Sequence, residues 1–112
     1  MAALTSTVPT AAGTVQTGAA VSASDTITAA QLGSLGAYLI VINAGASPDV
    51  VAVLDGGLTP AGNAGASGGG SVTNATTKVF YISPRSVNPT TGLVTVTHSF
   101  ITTVTYVLLP IG

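Results

Sequence analysis

Hydrophobic and polar positions alternate most regularly in the C-terminal third of the chain. Residues 93–99 (LVTVTHS) place valines on one face of an extended strand and threonines on the other, and residues 104–108 continue the same two-residue period. This period predicts two half-buried β-strands. A tight turn over residues 100–103 would join them as a hairpin.

The rest of the chain also favours short strands, because β-branched residues alternate with turn residues and no helical period persists. Residues 38–43 (YLIVIN) form a continuous apolar stretch, which predicts a strand buried on both faces. One helical turn is expected within residues 28–35, with Thr28 as its N-cap. The remaining predicted strands are 14–22, 50–54, 71–73 and 78–83.

These elements predict an all-β protein with a single antiparallel β-sandwich domain, jelly-roll or Ig-like, of about seven to eight short strands. We assign this domain to residues 11–112. Residues 1–10 are predicted to form an extended N-terminal arm, since Pro9 disfavours a helix there. Residues 59–70 are rich in glycine and predict a flexible surface loop.

Charge is nearly absent from the sequence. The 112 residues include two basic and three acidic side chains, or 4% charged, against roughly 25% in ordinary soluble domains. Surface charge normally keeps soluble proteins apart, so such a chain is expected either in a membrane or inside an assembly. Residues 35–46 form the best membrane candidate, but they are too short for a span of about 20 residues and are interrupted by glycines. We therefore expect an assembly and no membrane.

The charge balance and the residue types also exclude several binding functions. Lys78 and Arg85 are the only basic side chains, which are too few to neutralise a nucleic-acid backbone. The chain has no cysteine, so it has neither a disulfide framework nor a thiolate metal site. We expect no cofactor, no metal and no nucleic acid.

Candidate catalytic residues are sparse. His98 is the only histidine and shares the face of the neighbouring valines, whereas Ser99 points to the opposite face, so the two do not form a catalytic pair. We interpret His98 as a sandwich-edge or interface residue. Asp25, Asp49 and Asp55 are scattered and are expected at turns, where aspartate binds the backbone. We therefore predict no catalytic residue and no enzymatic activity.

Several segments together resemble small structural proteins of tailed bacteriophages that infect actinobacteria. In those proteins a Gly-Leu-Val-Thr-Val-Thr-like strand precedes a Thr-Thr-x-Val-Thr segment, and the order of strands, Ser-Pro turn and Gly-rich loop is similar. The resemblance extends over about residues 9–109, although residues 61–71 depart from the pattern and a basic residue near the C-terminus is missing. The matching segments in this chain are 23–27, 38–45, 81–84, 92–97 and 102–105.

The resemblance implies a virion component, most often a capsid decoration (cement) protein on the capsid exterior. Such a protein binds the major capsid protein and stabilises the phage head, and it commonly associates with itself, here expected as a homotrimer. The contacts are expected in the arm, at Leu4, Val8 and Pro9, and in the loop around Arg85. Burial of apolar and hydroxyl surface would drive the attachment, since hydroxyl groups cost less to desolvate than ions.

Two alternatives remain open. The chain could be another virion part, such as a phage tail or fibre module. It could instead be a secreted carbohydrate-binding or adhesion β-sandwich. That class requires exposed aromatic rings for stacking on sugars, whereas the few rings of this sequence are expected to be mostly buried.

Overall fold

The fold is a two-layer β-sandwich, as predicted. The computed structural model describes residues 2–8, 10–14, 18–54 and 68–111. A five-stranded sheet in the order β1-β3-β8-β5-β6 packs on a four-stranded sheet in the order β2-β9-β4-β7. The strands are β1 (Ala2–Ala3), β2 (Ala19–Ala20), β3 (Ser24–Thr28), β4 (Ala37–Asn43), β5 (Asp49–Leu54), β6 (Gly68–Val72), β7 (Thr76–Ile82), β8 (Leu93–His98) and β9 (Val104–Pro110).

The core lies between the two sheets and follows the two-residue period of the sequence. Val94 and Val96 of β8 point inward and are fully buried, and Leu39 and Val41 of β4 meet them from the other sheet. Leu108 of β9 is buried beside Leu39, its cross-strand partner. The alternation therefore predicts correctly which side chains of β8 and β9 enter the core, whereas β4, predicted to be buried on both faces, leaves Tyr38 exposed.

The predicted hairpin of the last two strands is wrong. β8 pairs with β3 and β5 in the five-stranded sheet, whereas β9 pairs with β4 and β2 in the other. The chain crosses between the layers at a turn in which the Val104 amide donates to the Ile101 carbonyl at 3.3 Å and Thr103 has a φ of 56°. Two consecutive amphipathic strands can bury their apolar faces equally well in a hairpin or across a sandwich, so the pattern alone does not distinguish the two.

Two further segments differ from the prediction. Asp25 lies inside β3 rather than in a turn, and Gly68–Gly70 belong to the edge strand β6 rather than to a loop. Gly69 has a φ of 115°, and a β-carbon there would collide with the Val51 carbonyl oxygen, so glycine is required for this close pairing. The predicted strand 14–22 is represented by β2 alone; residues 15–17, Asp55 and loop residues 59–67 lie outside the described residues.

The predicted helical turn is present as α1 (Ala29–Leu32), and Thr28 is its N-cap. The Thr28 hydroxyl accepts from the Gln31 amide at 3.3 Å, and the Gln31 side-chain oxygen accepts from the Thr28 amide at 2.9 Å. This is a capping box. Gln31 also donates to the Leu4 carbonyl at 2.7 Å, which ties the turn to the N-terminal arm.

The N-terminal arm is extended and is held by its own domain. β1 pairs in parallel with β3, and the Leu4 amide donates to the Thr26 carbonyl at 2.8 Å. The arm then crosses to the four-stranded sheet, where the Thr7 amide donates to the Leu108 carbonyl at 2.8 Å. Contacts within the same chain therefore hold these residues in place. No helix in the described ranges is long and apolar enough to span a bilayer.

Candidate interaction surface

The outward face of the four-stranded sheet carries two cross-strand rows of apolar side chains. These residues alternate with core residues along β4, β7 and β9, so they point away from the sandwich interior. We call this surface the open face. Its first row is Tyr81, Tyr38 and Leu109, and its second row is Val79, Ile40 and Val107.

The open face is both accessible and fixed in shape. The exposed fractions of Tyr38, Val79 and Tyr81 are 46%, 57% and 56%, whereas Ile40 and Leu109 are half-buried and Val107 is buried. The rings of Tyr38 and Tyr81 meet edge to face, with centroids 6.3 Å apart and planes 62° apart. The Tyr81 hydroxyl donates to the Leu35 carbonyl at 2.9 Å, which holds this ring in place.

The open face is electrically neutral within the described part of the chain. Asp25 and Asp49 are buried in the core, and Lys78 lies on the opposite side of β7 from Val79 and Tyr81. The next row of the face is Thr77, Ile42 and Thr105, so two hydroxyl side chains and no charge border it on this side. A partner can therefore cover this surface without desolvating an ion.

The open face explains a feature of the sequence that the fold alone leaves unexplained. Residues 38–42 are apolar at consecutive positions, which predicts burial on both sides. In the structure Leu39 and Val41 lie in the core, whereas Tyr38 on the other side is 46% exposed. A continuous apolar strand with one uncovered side indicates an interaction surface.

The contact residues predicted from the sequence lie in different environments. Leu4 is 5% exposed and belongs to the core, so its side chain is not available to a partner in this conformation. Val8 of the arm is 70% exposed. Arg85 is exposed in a 3₁₀ turn (Pro84–Ser86). Both side chains are therefore available for contact with a partner. Pro9 lies outside the described residues.

The difference in burial between Leu4 and Val8 predicts different effects when each side chain is shortened to alanine. Leu4→Ala should lower the free energy of unfolding by about 2–3 kcal/mol, because it removes a buried side chain. Val8→Ala should change it by less than about 0.5 kcal/mol, since that side chain is already in solvent. Urea denaturation of both variants measures the difference, and equal effects would contradict the described path of the arm.

A second feature is a buried polar cluster at one end of the core. His98 Nδ1 lies 2.6 Å from Asp49 Oδ2, and His98 Nε2 lies 3.7 Å from Asp25 Oδ2. The other Asp49 oxygen accepts from the amides of Ser99 and Phe100 at 3.0 and 3.3 Å. Asp25 accepts from both the amide and the hydroxyl of Ser22.

This cluster has the character of a structural network. The side chains of Asp25, Asp49 and His98 are at most 1% exposed, so a substrate has no access to them. Ser99 does not reach the imidazole, because its hydroxyl accepts from the Val50 amide at 2.8 Å. Within the described residues no group of three or more acidic, histidine or cysteine side chains has the arrangement of a metal site.

Sequence reasoning placed His98 on the apolar face but did not find its partners. The available signal was parity: Asp49 precedes Val51 and Val53 by even steps, so all three share the inward face of β5. A histidine and an aspartate that both face the same core are expected to pair.

No family model, curated protein or solved structure matches this chain.

Proposed function

We propose that this protein is a non-enzymatic structural component of a bacteriophage virion, a capsid decoration protein on the capsid exterior. In this proposal it binds the major capsid protein lattice and stabilises the head. The observation that supports the proposal best is the open face, whose two rows are apolar and uncharged and leave Tyr38, Val79 and Tyr81 about half exposed. The resemblance of several segments to actinobacteriophage structural proteins is the reason for proposing a phage capsid in particular.

Burial in a shell would let this chain tolerate its very low charge. A free monomer with this composition would have little electrostatic repulsion against aggregation. A subunit of a shell is protected differently, because its neighbours bury the apolar surface. The tyrosine-rich open face suits this role, since tyrosine is enriched in the buried centres of protein interfaces.

The open face also supports a second candidate, the carbohydrate-binding or adhesion sandwich. The expectation that the rings are mostly buried is wrong for Tyr38 and Tyr81, which are about half exposed. Their edge-to-face geometry nevertheless argues against a sugar platform, because rings whose planes differ by 62° cannot both lie flat against one extended glycan. A protein partner with side chains that interdigitate with the two rings fits this surface better.

We expect Tyr38→Lys and Tyr81→Lys each to weaken attachment to capsid shells at least about tenfold, since each buries a charge in the interface. Val50→Lys is the matched control: Val50 is 54% exposed in β5 of the other sheet, and its replacement should leave attachment unchanged. Co-sedimentation of the purified variants with shells of the major capsid protein measures the affinity.

Equal binding by the wild type and both tyrosine variants would contradict docking through the open face. Electron cryomicroscopy of the virion then distinguishes the locations. Density on the head shell supports a decoration protein, whereas density confined to the tail would replace this proposal by a tail or fibre module. Binding to glycans but not to shells would favour the adhesion sandwich.

A further inference from the structure

We propose that β7 is a self-pairing edge, at which two copies of this chain join antiparallel and merge their four-stranded sheets into one of eight strands. This inference goes beyond the proposed function and does not depend on it. It concerns the lateral edge of the sheet rather than the open face. The occupant is a second copy of the same chain.

β7 lacks the features that usually protect an edge strand from pairing with another chain. It pairs with β4 at seven consecutive positions without a bulge, and it is the last strand of its sheet. No described strand pairs with its other side. It contains no proline, and its exposed residues include Val79 and Tyr81. A seven-residue edge strand without a bulge or a proline is a template for pairing with another strand.

The one charge on β7 is turned away from the edge. Lysine at an edge normally prevents pairing when its ammonium group extends over the free backbone. Here Lys78 Nζ lies 3.4 Å from the Ser71 carbonyl of β6 and 5.9 Å from the ring centroid of Phe80. Gly70 provides the space, since a β-carbon there would lie 3.2 Å from Nζ. The charge is thus accommodated within its own chain.

β7 is complementary to a second copy of itself in an antiparallel arrangement. A two-fold axis through Val79 aligns the whole strand, Thr76–Ile82, with its copy. Lys78 then lies opposite the partner's Phe80 on the inward side, where its ammonium group keeps its contacts with Ser71 and Phe80 of its own chain. Thr77 lies opposite the partner's Tyr81 on the outward side. The two copies of Lys78 are offset by two residues, so their α-carbons lie about 8 Å apart, near the screening length at physiological salt.

The size of the joint indicates a reversible dimer. Seven paired residues extend about 24 Å along the strand, and the sandwich is 20 Å thick. The footprint is therefore roughly 500 Å² per copy and roughly 1,000 Å² in total, at the lower limit of specific interfaces. A two-fold symmetric interface is complete with two copies. The pairing therefore predicts a dimer and not the homotrimer expected from the sequence.

A single cysteine tests the pairing and its register together. The chain has no native cysteine, so Val79→Cys introduces its only thiol. In the proposed register the β-carbons of the two substituted residues lie about 4.5–5.5 Å apart, close enough for a disulfide to form after a small adjustment. We expect mild oxidation to convert most of this variant to a covalent dimer. Val50→Cys, similarly exposed on the other sheet, should remain mostly monomeric.

Analytical ultracentrifugation separates the edge from the open face. We expect Val79→Lys to raise the dimer dissociation constant about tenfold or more, because two lysines would meet at the two-fold axis. Tyr38→Lys should leave dimerisation unchanged, since Tyr38 lies on β4, inside the sheet. The proposal is overturned if the wild type is monomeric at millimolar concentration or trimeric, or if Tyr38→Lys abolishes association and Val79→Lys does not.

Discussion

Replacing Asp49 by alanine is expected to lower the free energy of unfolding by about 3–5 kcal/mol, because it breaks a buried polar network. The substitution leaves His98 without its closest partner and the Phe100 amide without an acceptor, and the Ser99 amide keeps only the Val50 carbonyl at 3.3 Å. Each buried polar group left unpaired costs about 1–3 kcal/mol. A domain of this size has a stability of about 5–15 kcal/mol, so the loss is a large share of the total.

Urea denaturation followed by circular dichroism measures this effect. Val50→Ala is the matched control, because Val50 is the next residue of β5 and points to solvent. Its effect should stay below about 0.5 kcal/mol. A loss of less than about 1 kcal/mol in Asp49→Ala would contradict the structural role assigned to the cluster of Asp25, Asp49 and His98.

Replacing Leu108 by alanine is expected to destabilise the fold by about 2–5 kcal/mol, since it leaves a cavity at a fully buried position between the sheets. Leu109, its neighbour in sequence, lies on the open face beside Tyr38 and is partly exposed. Leu109→Ala should therefore cost less than about 1 kcal/mol in the isolated chain. The pair of variants compares identical side chains on opposite faces of one strand.

The same denaturation experiment tests the register of β9. A shift by one residue would exchange the two leucines between core and solvent. A larger loss for Leu109→Ala than for Leu108→Ala would therefore contradict both the core and the open face as described. The ratio of the two losses is more informative than either value, because it cancels errors in the absolute free energy of unfolding.

The inward faces of β8 and β9 were predictable from the sequence, whereas the assignment of strands to sheets was not. Alternation placed Val94, Val96 and Leu108 in the core correctly. It did not separate a hairpin from a crossing between layers, because β8 and β9 bury the same side chains in both arrangements. Leu4 was assigned to a partner for a related reason: a short segment before a proline gives no sign that it will pair with β3.

The buried cluster and the open face depend on contacts between distant parts of the chain. Asp49 and His98 are 49 residues apart, and they meet because β5 and β8 are neighbours in one sheet. Sequence parity gives the direction of each side chain but not its neighbour. The apolar run at residues 38–43 did carry the signal of the open face, in the form of an expected burial on two sides.

The central claim is that other molecules cover the open face where this protein acts. Hydroxyl-radical footprinting with mass spectrometry tests it through the three tyrosines, compared between the free chain and the purified virion. Tyr38 and Tyr81 should be modified in the free chain and protected in the virion, while the buried Tyr106 should remain unmodified in both. Equal modification of Tyr38 and Tyr81 in the two samples, or absence of the chain from the virion, would contradict the account.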